Sequence, residues 1–254
     1  MVQAPAPGWY GKLPTLGDFA SRRLPAEFIE PWDLWLGHGL AAQRETLGDD
    51  WLDAYLHSPV WRFVLMPGVL PGLPADTAMA GVLMPSVDRV GRYFPLTLVA
   101  PLPSAPRDAD EVEALLAALH RLEDVALDAL QDDWSVDELE QVLTGQGIEF
   151  VSAAVAPEHL APAFAELAAA LSDEGGFVDL DGVHSRSELA QLCAHTLAHA
   201  GDSAWPRSLA GRAFWLADHP TAARLLVSRG LPSHTHFVQM LGAAARDPGA
   251  TTIF

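Results

Sequence analysis

Val60-Trp61-Arg62-Phe63-Val64-Leu65-Met66, Met79-Ala80-Gly81-Val82-Leu83-Met84 and Phe94-Pro95-Leu96-Thr97-Leu98-Val99-Ala100 are three short apolar runs, each bounded by proline or glycine. Runs of this length with such boundaries read as buried strands. The connections between them, residues 67–78 and 85–93, are short and rich in Pro and Gly. They leave no room for a crossover helix, so neighbouring strands are expected to be antiparallel. The result is a three-strand meander.

Working outward, Trp9 to Leu13 reads as a further short strand, stopped by Pro14 and a Gly17-Asp18 turn. Phe28, Ile29, Trp32, Trp35, Leu36 and Leu40 recur at three and four, which predicts a helix from Pro25 or Pro31 to Leu47. Both prolines are tolerable only in a first turn or at a break. A second short helix, Asp49 to Leu56, follows the Gly48 stop. Beyond the strands, Glu111 to Leu130 carries an Ala/Leu face at helical spacing, and Ser135-x-x-Glu138 resembles a capping box. Pro157 to Leu171 and Ser187 to His199 read as helices, with Phe177 to Leu180 a short strand between them. Arg212 to Ala217 and Ala223 to Ser228 form strands around the Asp218-His219-Pro220 turn, and a last helix spans Ser233 to Ala245.

The stretch Pro101-Leu102-Pro103-Ser104-Ala105-Pro106 is the only plausible internal boundary, near residues 101–110. Five or six strands divided between two halves make one sheet more readily than two unsupported ones. Residues 1–254 are therefore read as one domain, with 1–7 a flexible leader. The architecture expected from the residues is a largely antiparallel or mixed sheet with helices on both faces.

The chain has 254 residues, half of them hydrophobic, and is long enough for a sizeable core. Its 15 Lys and Arg stand against 33 Asp and Glu, a formal charge of -18, which repels phosphate backbones and anionic membranes. Nucleic acid is excluded as an expected partner. Many carboxylates lie between Asp108 and Glu140, and are read either as a solvated helical face or as a surface for a basic partner. The single cysteine, Cys193, fits a reducing compartment and sits in an apolar run as filler. No signal peptide or run of ~20 apolar residues is visible, so a cytoplasmic protein without direct membrane insertion is expected.

Catalytic motifs are missing. Gly11-Lys12 is followed by Leu13 and Pro14, and only Trp9 and Tyr10 separate it from Gly8, so no P-loop forms. His195 and His199 share a helical face and His234 and His236 are two apart, yet the residue after His195 is Thr196 rather than the Glu of a zinc protease helix. Ser86 has no identifiable base, and no Gly-x-Ser-x-Gly elbow occurs. No metal, cofactor or enzymatic activity is expected. One polar cluster stands out, Asp88-Arg89-Val90-Gly91-Arg92-Tyr93, a loop between two apolar strands in a chain short of basic residues. Arg89 and Arg92 suit either an anionic motif on a partner or an internal pair with Asp88. Lys12 with Asp18 likewise either faces a partner or ties the N-terminal loop to the sheet. A Trp left exposed beside these arginines would serve as an interface anchor.

Gly8-Trp9-Tyr10-Gly11-Lys12-Leu13-Pro14, Gly17-Asp18-Phe19, Glu30-Pro31-Trp32-Asp33-x-Trp35-Leu36, Ser58-Pro59-Val60-Trp61-Arg62-Phe63 and Met84-Pro85-Ser86-Val87-Asp88-Arg89-x-Gly91-Arg92-Tyr93-Phe94-Pro95 follow in this order. Together they resemble the TagF/ImpM family of bacterial type VI secretion. Arg212-Ala213-Phe214-Trp215-Leu216 and Gly230-Leu231-Pro232 extend the resemblance towards the C-terminus. It implies an α/β fold, a three-layer α/β/α sandwich. It also implies a non-enzymatic posttranslational repressor that binds the forkhead-associated-domain scaffold protein and restrains assembly. Some members carry a fused phosphatase domain; this chain stops at Phe254, and no phosphatase activity is expected. The expected interface is a surface including the Asp88 to Arg92 loop, with Lys12 and Asp18 as further candidates. The alternative from the residues is a small-molecule-binding protein or hydrolase, with a pocket beside the sheet using His195, His199 or Asp88.

Overall fold

Strands form where the sequence alternates apolar side chains that two separate helical layers can cover. In the computed structural model, which describes residues 5–102, 105–106, 109–148, 167, 175–180, 183, 185–198, 209–218 and 223–242, they build one eight-stranded sheet. Its members are β1 (Gly8–Gly11), β2 (Ala20–Arg22), β3 (Trp61–Leu65), β4 (Ala78–Met84), β5 (Leu96–Leu102), β6 (Gly175–Asp179), β7 (Arg212–Ala217) and β8 (Arg224–Arg229). The spatial order is β2-β1-β5-β4-β3-β7-β8-β6. The expected meander is its centre, with Gly81 of β4 opposite Phe63 of β3 and Val99 of β5. Every pairing among the described strands is antiparallel, so no parallel component of a mixed sheet is found there. Strands from before and after the Pro-rich stretch meet at β3 and β7, where Phe63 faces Trp215.

The period of two along each central strand divides the core into two layers. Trp61, Phe63 and Leu65 of β3, Met79 and Leu83 of β4, and Ala213, Trp215 and Ala217 of β7 pack on one face. Against them lie α1 (Ala26–Leu47), α2 (Trp51–Leu56) and α6 (His234–Gly242). Val82 and Met84 of β4 and Leu96 and Leu98 of β5 face the other way, towards α3 (Ala109–Gln131) and α4 (Val136–Leu143). Val227 of β8 and Leu216 of β7 meet α3 and α5 (Arg186–Ala198) on that same side. The α/β/α layering is thus present, with both sheet faces covered.

Helix α1 begins after Pro25 and runs through Pro31 to Leu47, where Gly48 closes it with φ of 56°. Proline removes one backbone donor at that point. Burial of Phe28, Trp32, Trp35 and Leu36 on the sheet offsets the loss. Trp32 lies 4.9 Å from Trp35, 5.1 Å from Phe63 and 5.9 Å from Trp215 by ring centroids. Three indoles in this layer find an acceptor for their N–H, Trp32 donating to Thr97, Trp35 to the carbonyl of Pro232 and Trp61 to that of Met240, whereas Trp215 Nε1 is buried without one. The capping box before α4 is formed, Ser135 Oγ accepting from the Glu138 N–H while Glu138 accepts from the Ser135 N–H.

Several boundaries move. Residues 48–50 form a single turn of 3₁₀ helix rather than the start of α2. Strand β2 was not expected, and it pairs Ser21 with Tyr10 on the sheet edge. The helix expected over Pro157 to Leu171 and the Asp218-His219-Pro220 turn lie, except for Leu167 and Asp218, outside the described residues. So does the end of the last helix beyond Gly242. Among the described residues no helix is long and apolar enough to cross a membrane.

Candidate functional site

The β4–β5 connection carries the Asp88-Arg89-Val90-Gly91-Arg92 cluster, and its shape is set by one carboxylate. Asp88 Oδ1 accepts from the backbone N–H of Val90 at 3.0 Å and of Arg92 at 2.9 Å. Its Oδ2 accepts from Lys12 Nζ at 2.9 Å and from Arg92 Nε at 2.7 Å. A Gly91 φ of 80° completes the tight return of the chain, a conformation glycine adopts without penalty. Burial alone raises the Asp88 pKa. The Arg92 N–H, the Lys12 ammonium, the Arg92 guanidinium and the Val90 N–H outweigh it and hold the carboxyl far below the usual range.

Lys12 and Asp88 are only 3% exposed each, so their pair faces inward and belongs to the fold. Of the two roles open to Lys12, burial favours the tie between the N-terminal segment and the sheet, made through Asp88 rather than Asp18. Lys12 reaches past it to Asp88 and lies 4.8 Å from the centre of the Phe19 ring. Asp18 is exposed and accepts from the N–H of Phe19 in a local turn. Arg92 is divided: its Nε is held by Asp88, while its Nη2 donates to the carbonyl of Gly17 and its side chain is 52% exposed. The backbone N–H of Arg89 donates to the carbonyl of Leu16 at 3.0 Å, and its side chain is exposed. The loop thus clasps residues 16–19 and presents Arg89 and part of Arg92 outward.

No tryptophan described here stands exposed beside these arginines. Trp9, Trp32 and Trp61 are fully buried, Trp35 nearly so, and Trp51 lies half-covered under Arg44. The exposed large apolar residues on these two loops are instead Phe19, 45% exposed, and Val90, 64% exposed, with Leu34 of α1 also exposed. Phe19 is held by an edge contact to Phe94 at 4.7 Å and by stacking on Tyr10 at 6.2 Å, and Tyr10 donates to Asp33. Two arginines and two apolar side chains therefore project from one pinned pair of loops. A patch of that composition can dock a carboxylate-bearing, partly apolar surface with little conformational ordering.

Two residues weighed for catalysis, Ser86 and Asp88, are engaged in the fold. Ser86 Oγ donates to the carbonyl of Lys12, its N–H donates to Tyr55 Oη, and that phenol donates back to the Ser86 carbonyl. Asp88 is fully engaged as described. His195 lies in α5, but its side chain and His199 are outside the described residues. His234 and His236 lie two apart on helix α6, so their side chains point to different sides, and His234 meets His38 edge-on at 5.8 Å. Among the described residues no three His, Cys, Asp or Glu side chains gather as a metal site. Burial pushes the Cys193 thiol up to about 12, as for an unreactive core cysteine.

The structure adds one group that sequence reasoning passed over. Arg62, at the centre of β3, is 1% exposed and faces His120 and Glu123 of α3 and Asp218 after β7. Its signal was a lone cation inside an apolar run. Its partners were not legible because they come from distant segments of the chain.

Residues 8–145 match the TagF N-terminal domain, type VI secretion system-associated. The chain belongs to the TagF family. That assignment makes this TagF-family chain a protein associated with type VI secretion. It is also similar to PA0076 of Pseudomonas aeruginosa PAO1, a protein of known crystal structure. The two are 31% identical, 98% of each chain is covered, and the TM-score is 0.61. No curated protein matches the sequence. The family match spans the whole Lys12, Asp88 and Arg92 network.

Proposed function

We propose that this TagF-family chain is a cytoplasmic, non-enzymatic repressor of type VI secretion that acts by binding the forkhead-associated-domain scaffold protein. The surface assigned to binding contains Arg89 and Arg92 with Phe19 and Val90. Family membership supports the secretion context, and the loop geometry supports a binding mechanism. The observation that carries the reading is that Asp88 is consumed in holding the loop while Arg89 is left outward in a chain of charge -18. Exposed cations beside apolar anchors steer and fix an acidic partner. Asp124 and Asp128 of α3 and Asp132 just beyond it are exposed carboxylates four residues apart, a spacing that suits a solvated stripe.

The test is a titration of the purified chain against the scaffold from the same secretion cluster, at about 50 mM and 500 mM salt. Saturable binding that weakens several-fold at the higher salt is expected. An absence of binding at tens of micromolar contradicts the proposal.

A further inference from the structure

Apolar side chains in the middle of a sheet that helices cover are expected to be closed off from any probe, yet three on the α3 side are not. Val64 of β3 and Phe214 of β7 stand opposite each other on neighbouring strands and are only partly buried. Cys193 of α5 is partly buried as well. All three line one cavity of about 90 Å³ between the sheet and helices α3 and α5. Close-packed interiors hold few voids larger than a water molecule, so the gap in this layer needs an explanation.

The wall decides what can bind. Leu116 of α3 and Leu216 of β7 contribute to it, and it is almost wholly apolar. Arg62 also lines the space, but its Nη1 and Nη2 face Glu123 and Asp218, neither of which belongs to the wall. A buried water needs two to four polar partners, which such a wall does not supply. A charged or hydrogen-bonding ligand loses its hydration there without compensation. A wholly apolar ligand loses nothing and restores the dispersion contacts that the lining side chains lack. Size sets the upper limit, because an apolar cavity of ~150 Å³ is what accommodates benzene.

We propose that the cavity between the sheet and helices α3 and α5 is a binding site for a wholly apolar molecule smaller than benzene, a short alkane in chemical class. The ligand sits against Val64, Phe214 and Leu216 on the sheet side and Leu116 and Cys193 on the helix side. No hydrogen bond or charge takes part in its recognition. This site stands apart from the Arg89 and Arg92 surface and does not depend on scaffold binding.

The experiment is a nuclear magnetic resonance titration of the full chain with dissolved xenon and, separately, with propane, following side-chain methyl signals. Saturable shifts are expected at Val64, Leu116 and Leu216 with both probes, and none that saturate at the exposed methyls of Leu34 and Val90. Two variants fill the space in different ways. Leu116→Phe adds a ring from α3, and Cys193→Met adds a flexible thioether from α5, which suits an irregular gap. Each lowers the affinity for xenon by at least ~10-fold, since a filled void has no contacts left to offer. The proposal is overturned if neither probe gives saturable shifts at the lining methyls, if only xenon does, if the exposed methyls respond equally, or if either folded variant binds like the parent.

Discussion

Asp88 accepts four hydrogen bonds, two from backbone N–H groups and two from cations, so a single side chain fixes the loop that carries the proposed interface. Asp88→Asn leaves the Lys12 ammonium buried without a counter-charge, the condition under which removing one ion-pair partner is strongly destabilising. A large drop in the denaturation midpoint is expected, whereas Arg92→Gln, at a half-exposed position, lowers it little. Equal midpoints for the two variants contradict this assignment. Glu123 behaves in the opposite sense. Burial, reinforced by Asp218 and Asp124 and only partly offset by Arg62, pushes its carboxyl up to about 7. The folded state therefore keeps a proton that the unfolded chain releases near pH 4, and stability declines as pH rises from about 4 to 7. Glu123→Gln removes that decline, which urea unfolding at pH 5 and pH 8 measures directly. The Arg89 and Arg92 loop was legible from the sequence because a cationic pair between apolar runs is rare in so acidic a chain. The partner of Lys12 was not, since Asp88 lies 76 residues away among many equivalent carboxylates.

At the scale of elements, periodicity read most of the fold because long buried stretches repeat cleanly. The 3.6-residue pattern of Phe28, Trp32, Trp35 and Leu36 placed α1, and the apolar runs placed β3, β4 and β5. Strand β2 escaped because Ala20-Ser21-Arg22 is three residues long and too short to show a pattern. Pairing across the two halves, such as β3 with β7, depends on contacts that no local pattern encodes. Two substitutions test the elements. A Cβ at Gly81 meets the carbonyl oxygen of Leu98 at 2.2 Å and the Cα of Val99 at 2.8 Å, both backbone atoms. Gly81→Ala thus forces β4 from β5 and costs about 1–3 kcal/mol or more by equilibrium unfolding. Ser135→Ala removes the side-chain half of the α4 capping box and costs about 1 kcal/mol. A neutral result at Gly81 contradicts the observed register.

For the whole molecule, acidity and shape act together. Helices on both faces cover a sheet whose two sides are apolar, leaving charge to the helical surfaces and loops. Asp88 adds an acid limit to stability: its folded pKa is depressed, so its contribution is complete above about pH 4 and is lost as pH falls towards the folded value. With the Glu123 effect on the other side, the full chain is expected to be most stable in mildly acidic solution. The central claim is that Arg89 and the outward part of the Arg92 side chain serve binding. The direct measurement is a scaffold titration of the Arg89→Glu, Arg92→Gln double variant, with its thermal melt recorded on the same sample. A melt near that of the parent with at least ~10-fold weaker binding is predicted. Undiminished binding by a folded double variant, or loss of folding, contradicts the claim.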